Sequence, residues 1–260
     1  YETGHFEVDD IAAALIYAAD SGADIISMSC GGYGLSMTLW NAIEYAYAQG
    51  AVLNAAAGND NTSVQMYPAA FSSVIAVAST DENDNRSGFS NYGFWVDVAA
   101  PGTDILSTYL NTYSPPYVFM DGTSMACPYV AGLAGLILSR TPSLTNEQVR
   151  EILKQGVENP DSTEYIGTGR VNVNSAIRIN GVADATAVIT SPSNTATVER
   201  GYVDVTGTAD GDSYVVRYGL GLYPSSWTTI DSGSQVTDDV LATWNTNGLT
   251  TGNYTVKLTI

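Results

Sequence analysis

The feature that most constrains the fold is a helical segment placed between two short, mostly apolar segments. Residues 24–29 (DIISMS) and 51–57 (AVLNAAA) are too short for helices and lack the alternation of a half-exposed strand, so both are predicted to be buried strands. Between them, Ser36 can cap a helix with apolar side chains at helical spacing, and Gly50 ends it. Such a strand–helix–strand unit with short turns predicts parallel strands covered by helices.

Further helices and strands of the same kind surround this unit. They are a helix capped by Asp9 or Asp10 and ended by Gly22, buried strands at residues 73–79 and 96–99, a helix after Pro128, and a last helix started by a capping box at residues 145–148. The helix after Pro128 is so rich in glycine and alanine that packing must stabilise it. The alternation predicts an α/β fold over residues 1–181, with a parallel sheet in a three-layer domain.

A change in composition near residue 182 marks a second domain. From there on the chain is rich in Thr, Val, Ser, Gly and Asp, and no stretch keeps a helical period. Short alternating runs occur at residues 202–206, 214–218 and 254–260, with turn sequences between them. Residues 182–260 are therefore predicted to form a small all-β, immunoglobulin-like sandwich. We expect its aromatic side chains, Trp227, Trp244 and Tyr254, in the core, with a binding surface as the alternative.

Composition argues against two classes of partner. The chain has 9 Lys and Arg against 27 Asp and Glu, a net charge of −18, which repels nucleic-acid phosphates and anionic membrane surfaces. Its apolar runs are too short to cross about 30 Å of hydrocarbon, so no membrane span is predicted. The acidity favours a secreted or extracellular location. The chain does not begin with Met and ends inside a predicted strand, and we expect the native polypeptide to extend further at both ends.

Cysteine and metal chemistry receive weak support. Cys30 and Cys127 lie among small apolar residues and are expected to be free thiols rather than a disulfide. Residues 81–85 (DENDN) carry oxygen ligands that suit Ca²⁺, but a solvated loop is the favoured interpretation. No metal site is assigned from these residues, and no cofactor is required by the predicted chemistry.

The segment that carries chemical information is residues 121–132, DGTSMACPYVAG. Small residues before a serine at the start of a buried helix place a hydroxyl where free backbone N–H groups and the helix dipole can stabilise an oxyanion. Gly-Thr-Ser alone favours an ordinary helix N-cap. The longer string, GTSMA followed by Cys-Pro, an aromatic residue and Val-Ala-Gly, resembles the nucleophile motif of the subtilase family of serine proteases. This resemblance implies that Ser124 is the nucleophile.

Other segments resemble the same family in the same order, over about residues 8–180. Residues 26–32 (ISMSCGG) are similar to the strand that lines the family's substrate cleft, and residues 55–59 (AAAGN) to the segment that completes its oxyanion hole; residues 87–93 (SGFSNYG) also match. The resemblance implies that Asn59 is the oxyanion donor, although outside this context a turn asparagine would be favoured. It further implies substrate contacts by Ser29, Cys30, Gly31, Ala57, Gly58, Met66 and Thr123.

Two local features qualify this resemblance. Met66 precedes Tyr67-Pro68, where the family has a residue at the floor of its main specificity pocket. Its flexible thioether is expected to fill part of that pocket and to favour medium-sized apolar side chains. The resemblance also implies a cis peptide bond at Tyr67-Pro68. Tyr129 stands where the family usually has a histidine outside the triad, which puts the local packing in doubt.

The general base is missing from the recognised segments. Subtilases place an Asp and then a His before the serine, but the sequence has one histidine, His5, without the family's Gly-Thr-His context, and no Asp-Thr-Gly or Asp-Ser-Gly string. His5 is therefore expected to be a loop residue. The polypeptide as given is predicted to be inactive, because an unassisted serine hydroxyl is a poor nucleophile. An N-terminal truncation is the simplest explanation.

Two functions are compared on this basis. The first is a serine endopeptidase that hydrolyses polypeptides through an acyl-enzyme on Ser124. The second is a non-catalytic binding or adhesion protein on a degenerate subtilase scaffold, with the sandwich contacting a cell surface or carbohydrate. The presence of both Ser124 and Asn59 favours the enzyme, because a binding scaffold requires neither side chain.

Overall fold

The computed structural model describes residues 7–110, 116–158, 165–179, 187–193, 196–221, 224 and 226–260. The chain divides into two compact units, Tyr1–Gly181 and Val182–Ile260. The predicted position of His5 lies outside the described residues. Within the described part of the chain, no helix combines the length and the apolar character needed to cross a membrane.

The first unit alternates helices and strands. In chain order they are α1 (Val8–Asp20), β1 (Ile25–Met28), α2 (Met37–Ala48), β2 (Val52–Ala56), β3 (Ile75–Thr80), β4 (Val98–Pro101), β5 (Ile105–Thr108), β6 (Tyr117–Met120), α3 (Thr123–Arg140), α4 (Asn146–Gln155), β7 (Val157–Glu158), β8 (Arg170–Val171) and α5 (Val173–Ala176). Among the described residues, six strands form one sheet in the order β1-β2-β3-β4-β8-β7. All neighbours in it are parallel except the last pair.

Helices cover this sheet on two faces. Successive residues of a strand point to opposite faces, and in β2 the Leu53 and Ala55 side chains join a core cluster with residues of α1 and α2. The Asn54 side chain points the other way and contacts Cys127 of α3, and α3 packs along β1 to β4. Because both faces are covered, every residue of β2 and β3 is buried. The predicted parallel-sheet α/β fold is confirmed.

The predicted helix caps are partly correct. Ser36 caps α2 by accepting a hydrogen bond from the Leu39 N–H at 3.3 Å, and Thr145 forms the predicted capping box of α4. The prediction that Asp9 or Asp10 caps α1 is wrong, because the helix begins at Val8 with Glu7 at its N-cap. Both aspartates therefore lie in the first turn, where their charge interacts favourably with the helix dipole.

The second unit consists of antiparallel strands. They are β9 (Ala187–Ser191), β10 (Tyr202–Ala209), β11 (Tyr214–Leu220), β12 (Thr228–Gly233), β13 (Val236–Asn245) and β14 (Tyr254–Thr259). In the described part of this unit they form two sheets, ordered β13-β10-β9 and β12-β11-β14. Side chains from both sheets share one core cluster, so the predicted all-β domain is confirmed.

The aromatic residues of this unit have two environments. Trp244 is buried and packs against Tyr254 with ring centroids 5.8 Å apart, inside the core cluster. Trp227 lies outside that cluster and is half-buried, with the Lys257 ammonium 5.7 Å from its ring centroid. The expected core position is therefore confirmed for Trp244 and Tyr254 and stays a prediction for Trp227.

Candidate active site

Ser124 is the second residue of α3, at the end of the helix where backbone N–H groups are free. The preceding Gly122 has φ = +154°, a conformation that glycine adopts without steric cost. Thr123 and Ala126 are buried, whereas Ser124 is half-exposed. An N–H at this helical position has no acceptor within the helix. The hydroxyl and the N–H of one residue are thus presented together at the positive end of the helix dipole.

Asn59 lies beside this helix end. Its Oδ1 accepts hydrogen bonds from the N–H and the hydroxyl of Thr123, both at 2.9 Å. Because a backbone N–H can only donate, this contact identifies the amide oxygen and directs Nδ2 away from Thr123. A Cβ placed on Gly122 would lie 3.5 Å from Asn59 Nδ2 and 3.6 Å from Ser124 N. Two nitrogen donors from distant parts of the chain therefore lie close to one point beside Gly122.

Ser29 contacts Ser124 twice. Pro128 lies inside α3 and has no N–H to donate to the Ser124 carbonyl four residues before it. The Ser29 hydroxyl donates to that carbonyl at 2.9 Å, and the Ser124 hydroxyl donates to the Ser29 carbonyl at 3.3 Å. Ser29 thus replaces the missing helical donor and also contacts the nucleophile candidate.

The predicted substrate contacts lie at one edge of the sheet. Residues 29–31 directly follow β1 and residues 57–59 follow β2; the two strands are parallel neighbours, so their carboxyl ends meet at the same edge, where α/β proteins bind ligands. Thr123 connects this edge to the start of α3, because its hydroxyl accepts a hydrogen bond from the Gly58 N–H at 3.1 Å. The structure therefore brings all the predicted site segments together.

Met66 lies between the two segments that follow β1 and β2. A Cβ placed on Gly31 would come within 2.8 Å of Met66 Cε. A Cβ on Gly58, which has φ = +107°, would overlap Met66 Sδ. Glycine at both positions makes room for the thioether, which contacts both segments. The peptide bond Tyr67-Pro68 after it is cis, as predicted.

Asn91 is a residue of this site that the sequence reasoning missed. Its buried side chain accepts hydrogen bonds from the N–H groups of Asp60 and Thr62 at 3.0 and 3.2 Å, and donates to the Ala57 carbonyl at 2.9 Å. Its amide also donates to the Tyr33 hydroxyl at 3.1 Å. The matching string SGFSNYG contains Asn91, but that string gives no indication of contacts that lie 29 to 58 positions away.

A buried polar contact joins β2 to α3, three residues after Ser124. Asn54 Nδ2 donates to the Cys127 carbonyl at 2.9 Å and contacts its sulfur at 3.0 Å. Asn54 is 1% exposed, and its Oδ1 has no hydrogen-bond partner among the described residues. Such an unpaired buried oxygen costs about 1–3 kcal/mol relative to one that is paired.

The two cysteines are free thiols, as predicted. Burial raises the pKa of Cys127 and outweighs the opposing influence of its hydrogen-bond partners. Burial also raises the pKa of Cys30, which is only partly buried. Both sulfurs therefore remain protonated at neutral pH, and neither is an activated nucleophile.

Metal chemistry receives no support from side-chain clusters. Within the described ranges, no group of three or more His, Cys, Asp or Glu side chains is arranged to hold a metal ion. In the loop at residues 81–85, the Asp81 carboxylate accepts hydrogen bonds from the N–H groups of Asn83 and Asn85, each at 2.9 Å. Its oxygens therefore serve to close the loop on itself.

Comparisons with known proteins show which family and which proteins this chain is similar to. A family model described as Peptidase_S8, Subtilase family, matches residues 2–197. A thermophilic serine proteinase of Bacillus sp. (strain AK1) is 45% identical over 175 residues, which cover 67% of this chain and 42% of that protein. Thermitase of Thermoactinomyces vulgaris is 46% identical over 169 residues, covering 65% of this chain and 59% of thermitase. The chain thus spans about half the length of these relatives.

Solved structures show the same similarity. A protease of Pseudoalteromonas arctica PAMC 21717 matches with a TM-score of 0.62 and 38% sequence identity, over 66% of this chain and 58% of that chain. The maturation protease PagA matches with a TM-score of 0.61 and 28% identity, over 66% and 68% of the two chains.

Proposed function

Because this chain belongs to the subtilase family, we propose that it carries the nucleophile and the oxyanion-binding groups of a serine endopeptidase. In this proposal the Ser124 hydroxyl attacks the carbonyl carbon of a peptide bond while a general base takes its proton. The C–N bond then breaks, the leaving amine receives that proton, and an acyl-enzyme remains. The carbonyl oxygen becomes negatively charged in the tetrahedral intermediate. The Ser124 N–H and Asn59 Nδ2 donate hydrogen bonds to that oxygen and lower the energy of the transition state.

One observation carries the proposal. Asn59 Nδ2 and Ser124 N lie 3.5 and 3.6 Å from the position of a Cβ on Gly122, and this proximity of two donors beside the serine supports the assignment. Thr123 holds the asparagine through two hydrogen bonds to Oδ1. Donors that are held in place before reaction need no reorganisation as charge develops.

The proposal assigns the general base and its orienting carboxylate to residues outside these 260. The sequence contains one histidine, His5, which lacks the family context of a catalytic histidine. Without a base to accept its proton, a serine hydroxyl attacks an amide very slowly at neutral pH. We therefore expect this polypeptide by itself to bind peptides without cleaving them.

The substrate in this proposal is an extended polypeptide. The backbone of residues 29–31 continues from β1 and would pair with the peptide by strand addition. The side chain that precedes the scissile bond would enter the space next to Gly31 and Gly58, where Met66 lies. This arrangement supports the expected preference for medium-sized apolar side chains. The net charge of −18 supports a secreted or extracellular location, because like charge keeps a protein soluble.

A fusion protein tests the function. The part of thermitase that precedes its region of similarity is joined to this chain, so that the general base comes from the relative. We expect the fusion to hydrolyse casein and Ser124→Ala to abolish the hydrolysis. Asn59→Leu is expected to lower kcat by about 10²- to 10³-fold, the loss known for the oxyanion-hole asparagine of subtilisin.

Two controls accompany this test. Asn83→Leu, at an exposed loop asparagine, should leave kcat unchanged. The chain without the thermitase segment should show no hydrolysis. A fusion that binds peptides but never cleaves them would favour the binding-protein alternative, and activity that survives Ser124→Ala would refute the assignment of the nucleophile.

A further inference from the structure

A tyrosine hydroxyl joins the two segments that flank the site. Tyr33 follows β1, and its hydroxyl donates a hydrogen bond to the Asp60 carboxylate in the segment that follows β2. The same oxygen accepts a hydrogen bond from Asn91 Nδ2 at 3.1 Å. Burial and the adjacent Asp60 carboxylate raise the pKa of Tyr33, so the hydroxyl keeps its proton and remains a donor at neutral pH. We call this contact the Tyr33–Asp60 strap.

The far end of the strap is firmly anchored. Asn91 is fully buried, and it binds the Ala57 carbonyl and the Asp60 N–H at 2.9 and 3.0 Å. The segment that follows β2 is therefore held to Asn91 by one buried and one partly buried hydrogen bond. The Tyr33 hydroxyl, which is hydrogen-bonded to Asp60 and Asn91, is therefore restrained relative to that segment.

The near end of the strap lies in a segment that needs restraint. Glycines occupy positions 31, 32 and 34 around Tyr33, and glycine leaves the backbone the most conformational freedom. One point is held by the pair of hydrogen bonds between Gly32 and Tyr67, each 2.8 Å. The hydrogen bond from the Tyr33 hydroxyl to Asp60 restrains the segment at a second point.

Met66 occupies the space between the two strapped segments. Its Cε approaches Gly31 and its Sδ approaches Gly58. A methionine side chain is flexible and can yield to a ligand by changing rotamer, so Met66 alone does not set a sharp size limit. A large aromatic side chain would also require the two segments to move apart.

We propose that the Tyr33–Asp60 strap sets the upper size limit for the substrate side chain accepted beside Ser124, which makes Tyr33 a specificity-determining residue. The strap fixes the separation of the two segments, and Met66 fills part of the space that remains. We expect this space to accept a leucine side chain after a rotamer change of Met66 and to exclude a phenylalanine side chain. This inference rests on the proposed function, because it assumes that a peptide side chain occupies the space between these two segments.

The test measures peptide binding to the full chain and requires no catalysis. The probes are acetyl-Ala-Ala-Ala-Leu and acetyl-Ala-Ala-Ala-Phe with free carboxylates, which resemble cleavage products. Dissociation constants are obtained from ¹H–¹⁵N spectra through the signals of Gly31, Gly58 and the Asn59 side chain. We expect the leucine peptide to bind at least about tenfold more tightly than the phenylalanine peptide, the factor that a loss of about 1.4 kcal/mol produces.

Three variants isolate the strap. Tyr33→Phe and Asp60→Ala remove it from opposite ends, and each should reduce the leucine-to-phenylalanine ratio by at least about threefold. The double variant should change it no further, because both substitutions break the same contact. Tyr45→Phe is the matched control: this tyrosine also donates to an aspartate, Asp20, at 2.6 Å, but on α1 and α2. It should leave the ratio unchanged.

The outcomes separate the two proposals. If neither peptide shifts the signals of Gly31, Gly58 or Asn59 in any variant, the proposed function is wrong. If the peptides bind but the native chain does not discriminate, or Tyr33→Phe keeps the native ratio, the strap inference is overturned and the proposed function stands. If Tyr33→Phe loses its dispersed native spectrum, the ratio for Asp60→Ala decides.

Discussion

Ser29 supplies Ser124 with the hydrogen bond that Pro128 is unable to donate. The Ser29 hydroxyl lies 2.9 Å from the Ser124 carbonyl oxygen, which in an uninterrupted helix would accept from the N–H of residue 128. A side chain at the end of one strand therefore completes the first turns of the helix that bears the nucleophile candidate. This contact explains how a proline is accommodated near the start of α3.

A double-mutant cycle tests this relationship. We expect Ser29→Ala to lower the free energy of unfolding by about 1 kcal/mol, because the Ser124 carbonyl loses its donor. In a Pro128→Ala background the helix regains an N–H at this position, and the same substitution should cost only a few tenths of a kcal/mol. Urea unfolding of the four proteins measures the coupling.

The control for this cycle is Ser107→Ala, at an exposed serine of β5, which should change the free energy of unfolding by less than about 0.5 kcal/mol. An equal cost of Ser29→Ala in both backgrounds would show that Ser29 does not replace the helical donor.

Shortening Met66 should enlarge the space between Gly31 and Gly58. We expect Met66→Ala to increase the affinity for acetyl-Ala-Ala-Ala-Phe relative to the alanine-ended peptide by at least about tenfold, equivalent to about 1.4 kcal/mol. The measurement is the same spectral titration of the full chain. Met37→Ala, at a methionine that is 58% exposed, is the control, and an unchanged preference after Met66→Ala would rule out Met66 as the group that fills the pocket.

Substitutions at Asn54 should have opposite effects. Asn54→Leu removes the unpaired buried oxygen while keeping the shape of the side chain, so we expect unfolding free energy to rise by about 1 kcal/mol. The Cys127 carbonyl loses one donor but keeps its acceptor role within α3. Asn54→Asp should instead lower the unfolding free energy by at least about 2 kcal/mol at pH 7, because it buries a charge.

The pH dependence of Asn54→Asp provides a second check. Burial would raise the pKa of the new carboxyl group in the folded state. The folded protein then binds the proton more tightly than the unfolded chain, so stability is highest below the unfolded pKa and falls as pH rises through the folded pKa. Denaturant titrations at pH 4.5 and pH 7 measure this, and a larger deficit at the lower pH would contradict the burial of Asn54.

The two thiols should differ in reactivity. Burial raises the pKa of both above the ordinary value of 9.0, and the thiolate is the reactive form. We therefore expect slow modification of Cys30 by Ellman's reagent at pH 8, faster as pH rises towards its folded pKa. Cys127 should react only on unfolding, because it is fully buried. Mass mapping identifies the modified residue, and equal labelling of both thiols in the native protein would contradict this expectation.

Features that depend on residues close together in the sequence could be predicted from the sequence alone. Ser36 and Thr145 were correctly predicted as caps because each bonds an N–H three residues away. The apolar run at residues 73–79 was predicted as a strand close to β3, because burial on both faces leaves a continuous apolar signature. The cap of α1 was missed, since three acidic residues within four positions, Glu7, Asp9 and Asp10, leave the first residue of the helix ambiguous.

The sequence by itself determined the order of the helices and strands, the two kinds of domain, and the identities of Ser124 and Asn59 as site candidates through a family motif. Only the tertiary structure decided that Ser29 completes the helix of Ser124, that Asn91 and Tyr33 connect the segments that follow β1 and β2, and that Asn54 lies against Cys127. Local patterns record contacts three or four residues apart. Ser29, Tyr33 and Asn91 contact residues that lie far away in the chain, at the edge of the sheet where β1 and β2 end. Asn54 contacts a helix that packs across a face of the sheet.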